Sequence, residues 1–280
     1  MIHGVNAAHT VLLTTSFEGS ARATQLMKRR VTARISCTVT APLPDRKFDG
    51  IFTISSEFFS PMTSPAYEAG RQIEAEILLS RLLEKAVRRS GALDTESLCI
   101  VAGTSCFAVR ADLHVLRHDG NVLDTSCVAL MAALSHFRRP DFAVGPGNGG
   151  GGNDGISSSG ITIFDPGERE PVPLAMLHMP LYVSFSLVDG GETVLVDATA
   201  TEEQIRQGEI IIAMNRQGDL CQMAKYGGVP TDAMLILKCC GLAREKVKML
   251  TEVINKRMEA DNQKRNFGDL IAELSAENKR

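Results

Sequence analysis

Residues 94–142 have the sequence DTESLCIVAGTSCFAVRADLHVLRHDGNVLDTSCVALMAALSHFRRPDF, and they carry the clearest structural pattern of the chain. Residues 98–101 are almost all apolar, as in a strand covered on both faces, and Gly103 ends the run. Residues 107–116 then place apolar side chains at every second position. The stretch therefore predicts two strands, the second with one buried face.

A turn and a helix complete this stretch. Gly120 and Asn121 tolerate positive φ and predict a tight turn at 119–121. Residues 126–137 are apolar almost all round, which predicts a central helix. Asp124 or Thr125 is expected to cap this helix, since both side chains accept hydrogen bonds from the first free N–H groups.

The residues before this stretch also predict strands followed by a helix. The pattern predicts strands at 31–39 and 51–55, a loop between them, and an amphipathic helix at 67–89. The basic cluster Lys28-Arg29-Arg30 is interpreted as a solvated linker, with an RNA contact as the alternative.

The C-terminal side begins with GPGNGGGGNDGISSSG at 145–160, a composition typical of a flexible surface loop. It lacks the Gly-Lys-Ser/Thr ending of a P-loop, so it predicts no phosphate site. Asp189-Gly190-Gly191 predicts a hairpin between strands at 183–188 and 193–196. Thr199 or Thr201 is expected to cap a short helix, and a second strand pair follows at 209–215 and 221–226.

A long helix is predicted at 231–262, and the charged residues 263–280 are expected to form a frayed tail. Its expected buried stripe consists of Met234, Leu235, Leu237, Leu242, Val247, Leu250, Val253 and Ile254. Strands and helices alternate twice along the chain, which predicts an α+β fold with helices packed on mixed sheets.

Composition narrows the function classes. The 280 residues carry a formal net charge of −3, so any RNA contact must come from a local basic patch. Seven cysteines without regular spacing predict reduced, buried thiols in an intracellular protein. No apolar run approaches the roughly 20 residues that a membrane-spanning helix needs, and the first residues form no good signal peptide.

Several long motifs resemble the RNase PH family, and within it the ring subunits of the RNA exosome. They are DTESLCIVAG, DLHVLRHDGNVLD and SHFRRPD within 94–142, SPMTSPAYEAGRQ at 60–72 and EREPVPLAMLHMPLYVSFS at 168–186. The resemblance implies the RNase PH-like fold, a duplicated ββαβα unit related to the second domain of ribosomal protein S5. It implies a divergent segment at 1–30, a first half at 31–144 and a second half at 161–262.

Active members of this family use phosphate to cut RNA from its 3′ end. Gly70-Arg71 matches their arginine at the first helix. Their Gly-Thr-Arg after the Asp-Gly turn is replaced here by Asn121-Val122-Leu123, which removes a charge-assisted anion contact. The acidic series at 197–203 keeps some carboxylates but has Thr199 in place of an aspartate. We therefore expect a non-catalytic member without catalytic residues, metal or cofactor; the alternative is an active phosphorolytic 3′-5′ exoribonuclease.

A non-catalytic ring subunit still needs arginines along the RNA path. We expect Arg110, Arg117 and Arg71 in that role, with structural ion pairs of exposed strand arginines as the alternative. The resemblance implies as partners RNA, other RNase PH-like ring subunits, S1/KH cap subunits and a hydrolytic exoribonuclease, and no membrane. It implies a location in the nucleus and nucleolus and also in the cytoplasm.

Overall fold

The computed structural model describes residues 29–57, 74–145, 161–164 and 168–277. Two four-stranded sheets, two short two-stranded sheets and the helices between and beside them make up this part of the chain. The strands are β1 Arg30–Thr40, β2 Ile51–Glu57, β3 Cys99–Val101, β4 Ser105–Arg117, β5 Arg138–Arg139, β6 Phe142–Val144, β7 Ile161–Ile163, β8 Val172–Pro173, β9 Leu181–Val188, β10 Thr193–Val196, β11 Gly208–Met214 and β12 Leu220–Gly227. The two-stranded sheets are β5-β8 and β6-β7. The helices are α1 Glu74–Glu84, α2 Val122–His136, α3 Ala200–Ile205 and α4 Ala233–Glu277.

The first sheet has the order β1-β4-β2, with β3 paired to β4 as well. β1 is antiparallel to β4 and β2 is parallel to it, so this sheet is mixed as predicted. The alternation predicted in β4 is confirmed: Phe107, Val109 and Ala111 are buried, whereas Arg110 is exposed. The apolar phase of β4 thus contributes one wall of the core.

The second sheet has the order β10-β9-β11-β12 and is antiparallel throughout its described pairs. Both predicted hairpins are confirmed. β9 is buried along nearly its whole length because α2 and α4 both pack on it and strands flank it. Two strands, β3 and β4, separate α1 from α2, and two strands, β11 and β12, separate α3 from α4, where the predicted ββαβα unit has one.

Helix α2 lies between the sheets and contacts both β1 and β9. It begins at Val122, four residues before the predicted start, so the predicted cap is wrong. Asn121 is the N-cap residue, in the left-handed conformation with φ 43°, and its side chain makes no capping bond. Asp124 and Thr125 lie inside the first turn. Val122 and Leu123 are buried, so the apolar surface of α2 begins at its first residue.

Helix α4 differs from the prediction in two ways. It continues to Glu277, so the expected frayed tail is wrong over 263–277, a stretch with many good helix formers. Its buried stripe agrees with the expected one only in part: Val247 and Ile254 are buried as expected, and Cys239 and Ala243 are buried although they were not in the expected stripe. The exposed members of the expected stripe are Met234, Leu237, Leu242 and Val253.

Helix α1 is described from Glu74 and ends in one π-helical turn, Lys85–Arg89. The start of the predicted helix at 67–73 lies outside the described residues, as do 1–28 and most of the Gly/Ser-rich loop. All seven cysteines are unpaired thiols. None of the helices in the described ranges contains an apolar stretch long enough to span a lipid bilayer.

Candidate functional site

Three segments that are distant in sequence meet at the N-terminus of α2. They are the turn at 119–121, the residues after β10 at 197–199, and Arg29 at the start of β1. A glycine permits this approach: a Cβ atom on Gly120 would lie 2.4 Å from the carbonyl oxygen of Ala198. The turn at 119–121 and the acidic series that starts at Asp197, the two segments expected to differ from active members, are therefore in direct contact.

Arg29 connects these segments from inside the protein, with only 6% of its surface exposed. Its Nη1 forms an ion pair with the carboxylate of Asp197. Its Nε and Nη2 donate to the carbonyl oxygens of Asp119 and Ala198, each at 3.1 Å. The interpretation of this residue as part of a solvated linker is wrong, and its donors are committed to structural contacts.

Asn121 and Asp124 extend the network into the core. The Asn121 side-chain amide donates to Asp197 Oδ1 at 2.8 Å and to Asp124 Oδ2 at 2.9 Å. Asp124 in turn accepts hydrogen bonds from the backbone N–H and the hydroxyl of Ser184, at 2.9 and 2.7 Å. Burial raises the pKa of the Asp124 carboxyl to about 7, although the bonds from Ser184 and Asn121 act in the opposite direction.

The carboxylates of the acidic series serve the local structure. Thr199 caps α3 in a capping box with Glu202, which confirms the first of the two predicted caps. The N–H of Asn121 donates to Glu203 Oε1 at 2.7 Å. Since this N–H lies at the start of α2, a carboxylate already occupies the position that would attract an anion.

The cavity on the α1 side of this network has a volume of about 280 Å³ and is named here the α1 cavity. Val122 and Leu123, the residues expected to stand where active members have a threonine and an arginine, line it. Arg206 is the one lysine or arginine among its described lining residues, and it pairs with Glu209 at 3.0 Å and Glu203 at 3.9 Å. Burial lowers the pKa of His118 and so favours its uncharged form. The cavity offers an anion little positive charge.

A second cavity of about 390 Å³ lies between α2 and α4. Asp124, Asp197 and Lys246 give it polar walls, and Met249 and Val253 give it an apolar rim. Within the described part of the chain, no three His, Cys, Asp or Glu side chains are grouped as a metal site requires.

The structure separates the predicted RNA-binding residues. Arg110 lies on the exposed face of β4 and its Nε donates to Asp112 Oδ1 at 2.7 Å, the structural ion pair held open as the alternative. Arg117 is exposed at the end of the same strand, opposite Arg30. Their partners on β1, Ser36 and Arg30, are six residues apart, and a bulge in β4 lies just before Arg117, so the two arginines are about 20 Å apart on the same face of the sheet. Arg71 lies outside the described residues.

The Arg29–Asn121–Asp124–Ser184 network was not predicted as a unit. One signal pointed to part of it: Asp124 is the only charged residue in an otherwise apolar or small stretch, 122–135. A lone carboxyl on a central helix requires a buried partner, and the serines of the apolar segment 181–188 are suitable donors.

The sequence is similar to proteins of one known family. Family profiles match the 3′ exoribonuclease family, domain 1, over residues 9–140 and domain 2 over residues 178–246. The exosome complex component rrp45 of Schizosaccharomyces pombe is 43% identical over 90% of this chain and 81% of its own length. RRP45 of Saccharomyces cerevisiae is 41% identical over 90% of this chain and 82% of its own length. Human RRP45 is 39% identical over 87% of this chain, which spans 53% of the human protein.

Solved structures show the same fold at lower identity. The Archaeoglobus fulgidus exosome with RNA bound to the active site matches with a TM-score of 0.65 at 24% identity, over 81% of this chain and 80% of that chain. An archaeal exosome core matches with a TM-score of 0.61 at 22% identity, over 81% of this chain and 77% of that chain. With both domains matched in order and curated relatives aligned along most of its length, the chain belongs to the RNase PH family of 3′ exoribonucleases and is a homologue of exosome complex component RRP45.

Proposed function

We propose that this chain is a non-catalytic subunit of the RNA exosome ring, which scaffolds the complex and forms part of the path along which RNA is threaded for 3′-5′ processing and degradation. Its membership of the complex is supported by its similarity to proteins named exosome complex components. Its lack of catalysis is supported chiefly by one contact, the Glu203 carboxylate on the Asn121 N–H.

Phosphorolysis requires a bound phosphate, and the α2 N-terminus is the natural place for one. There the first N–H is already engaged by a carboxylate, and the next two side chains are buried valine and leucine. A phosphate entering the α1 cavity would have to displace Glu203 and would gain no bidentate arginine contact from Leu123. Asp197 is likewise engaged, by Arg29 and Asn121.

The purified chain is accordingly expected to release no nucleoside diphosphate from a labelled oligoribonucleotide in phosphate buffer. The products are resolved by chromatography, and a hydrolytic exonuclease added to a parallel sample shows that the substrate is degradable. Phosphate-dependent release of diphosphates from the terminal nucleotide would overturn the proposal in favour of an active phosphorolytic enzyme.

We assign the RNA path to Arg110, Arg117 and Arg71, with the first two exposed at separate points of β4. The proposed partners are RNA, other RNase PH-like ring subunits, S1/KH cap subunits and the hydrolytic exoribonuclease of the complex. The proposed location is the nucleus and nucleolus, with a cytoplasmic share. The exposed apolar residues of α4, Met234, Leu237 and Leu242, give the chain surface suited to contact with other subunits.

A tagged chain is expected to co-purify with ring and cap subunits, and this assembly permits a test of the RNA contacts. Arg110→Glu should lower ultraviolet crosslinking of a threaded RNA to this chain several-fold. The fold should survive, because an exposed pair such as Arg110–Asp112 contributes only about 0–1 kcal/mol. Lys248→Glu on the exposed face of α4 is the control. Unchanged crosslinking of Arg110→Glu would leave Arg110 a purely structural residue.

A further inference from the structure

A groove of about 430 Å³ lies between the end of α1 and the loop after β1. Its lining consists of Arg46, Arg81, Glu84, Lys85, Arg88 and Arg89. Five of these six side chains are cations, although the whole protein carries a formal net charge of −3. The groove therefore concentrates positive potential on a protein that is acidic overall.

Helical geometry aligns the cations. Arg81 and Lys85 are one turn apart, and Arg88 and Arg89 follow in the π-helical turn that closes α1. The opposite face of this segment is fixed in the core, since Leu82, Leu83, Ala86 and Val87 are all buried. The basic side chains thus project from a rigid support, and a π-turn of this kind is frequent at functional sites.

Few of these charges are neutralised. Arg88 pairs with Glu84 at 3.3 Å and Arg46 with Asp49 at 3.6 Å, both of them exposed pairs that contribute little to stability. Within the described ranges no carboxylate pairs with Arg81, Lys85 or Arg89, and all three are exposed. Three cations on one face are therefore available to a ligand.

We propose that this groove binds the phosphodiester backbone of RNA, as a contact separate from the arginines of β4. Phosphate contacts require only charge and donors, which the lining supplies. An acidic protein segment is a poorer fit, because the lining contains no aromatic or aliphatic side chain to serve as an anchor. The absence of aromatic side chains also predicts binding without base stacking, and hence without sequence preference. The choice of RNA rests on the proposed function, whereas the charge of the groove does not.

The test uses the full-length chain, alone or with co-purified ring partners, and a fluorescein-labelled single-stranded oligoribonucleotide. The variant Arg81→Glu/Lys85→Glu/Arg89→Glu removes three phosphate contacts. Each contact with a single strand contributes about 0.7 to the slope of log affinity against log salt, so the slope should become shallower by about 2. Lowering the salt from 200 to 50 mM raises the affinity for RNA, and fluorescence anisotropy titrations should show that this increase is about twentyfold smaller for the variant than for wild type.

Two further variants control for net charge and geometry. Lys238→Glu/Lys248→Glu/Lys256→Glu makes the same charge change on the exposed face of α4 and should keep the salt slope. Arg81→Lys/Arg89→Lys keeps the charge of the groove and should keep the salt slope as well.

An equal loss of slope in the α4 variant, or no loss in the groove variant, would overturn the proposal. So would a groove variant that loses affinity for polyglutamate but not for RNA, which would identify an acidic protein segment as the occupant. Co-purification with ring subunits is scored separately, so failure of the ring assignment is distinguishable from failure of the groove.

Discussion

Gly120→Ala is expected to destabilise the protein by about 4 kcal/mol or more, the largest effect of any single methyl group that we anticipate. The new Cβ would lie 2.4 Å from the Ala198 carbonyl oxygen, 2.6 Å from the Thr199 carbonyl carbon and 2.7 Å from the Ala200 nitrogen. All three are backbone atoms, so no side chain can rotate away. The turn before α2 would have to separate from the residues before α3, which would also break the Arg29 contacts to both segments.

Gly91→Ala provides a matched control. Gly91 has φ +70°, close to the +77° of Gly120, but a Cβ at this position would meet nothing within 4 Å. Both substitutions thus carry the left-handed backbone cost of about 1 kcal/mol, and only Gly120→Ala adds the overlap. Thermal unfolding should show a loss of about 10 °C or more for Gly120→Ala and about 3 °C for Gly91→Ala. Similar losses for the two variants would show that the close approach at Gly120 does not hold.

The spacing of apolar residues predicted most of the secondary structure, because it depends on which face of each strand or helix is buried. The period of two in β4 and the Asp189-Gly190-Gly191 turn are local signals, and both hairpins of the second sheet followed from such signals. The buried stripe of α4, which was predicted only in part, shows the limit of these signals. Apolar residues are spread round this helix, so its sequence does not distinguish the face that packs on β9 and β11 from the face left exposed. The boundaries of the two halves stay predictions.

The loss of phosphate-binding residues at the candidate site could be predicted, but the contacts that Arg29 and Asp124 make there could not. The resemblance to active members of the family already implied that Leu123 stands where they have an arginine. The role of Arg29 could not be predicted, because its partners Asp119 and Asp197 are 90 and 168 residues away, and a run of three basic residues normally indicates a solvated surface. The start of α2 was misplaced for a similar reason. Asp124 is a good capping residue by type, but its carboxyl is used by Ser184 of β9, so the helix begins earlier.

Asp124→Ala is expected to cost about 3 kcal/mol because it leaves two donors of Ser184 without an acceptor. β10 pairs with β9 only as far as Phe185, and the Asp124 carboxyl accepts the next N–H of β9 in place of a neighbouring strand. The substitution would thus open the junction between α2 and the second sheet. Chemical denaturation at pH 7 measures the free energy of unfolding, and a loss below about 1 kcal/mol would contradict this role.

Asp124→Asn is the informative companion, because an asparagine can meet the same partners. Its oxygen can accept from the Ser184 N–H and the Asn121 amide, and its NH₂ can donate to the Ser184 hydroxyl. This variant should therefore be close to wild type in stability at low pH, which separates loss of the hydrogen bonds from loss of the charge.

The two proteins should diverge as the pH rises. In the unfolded chain the Asp124 carboxyl ionises near its ordinary pKa of about 3.9, whereas in the folded protein burial raises the pKa to about 7. Between these values the folded state holds a proton that the unfolded state has released, so stability falls as pH increases from about 4 to 7 and is constant above. The carboxyl is partly open to the cavity between α2 and α4, which limits the expected loss to about 2 kcal/mol. Asp124→Asn abolishes this loss. Denaturation curves should therefore show that the free energy of unfolding of the variant, relative to wild type, is about 2 kcal/mol higher at pH 7.5 than at pH 4.5. A constant difference between the two proteins would mean that Asp124 is ionised at both pH values and holds Ser184 as a carboxylate.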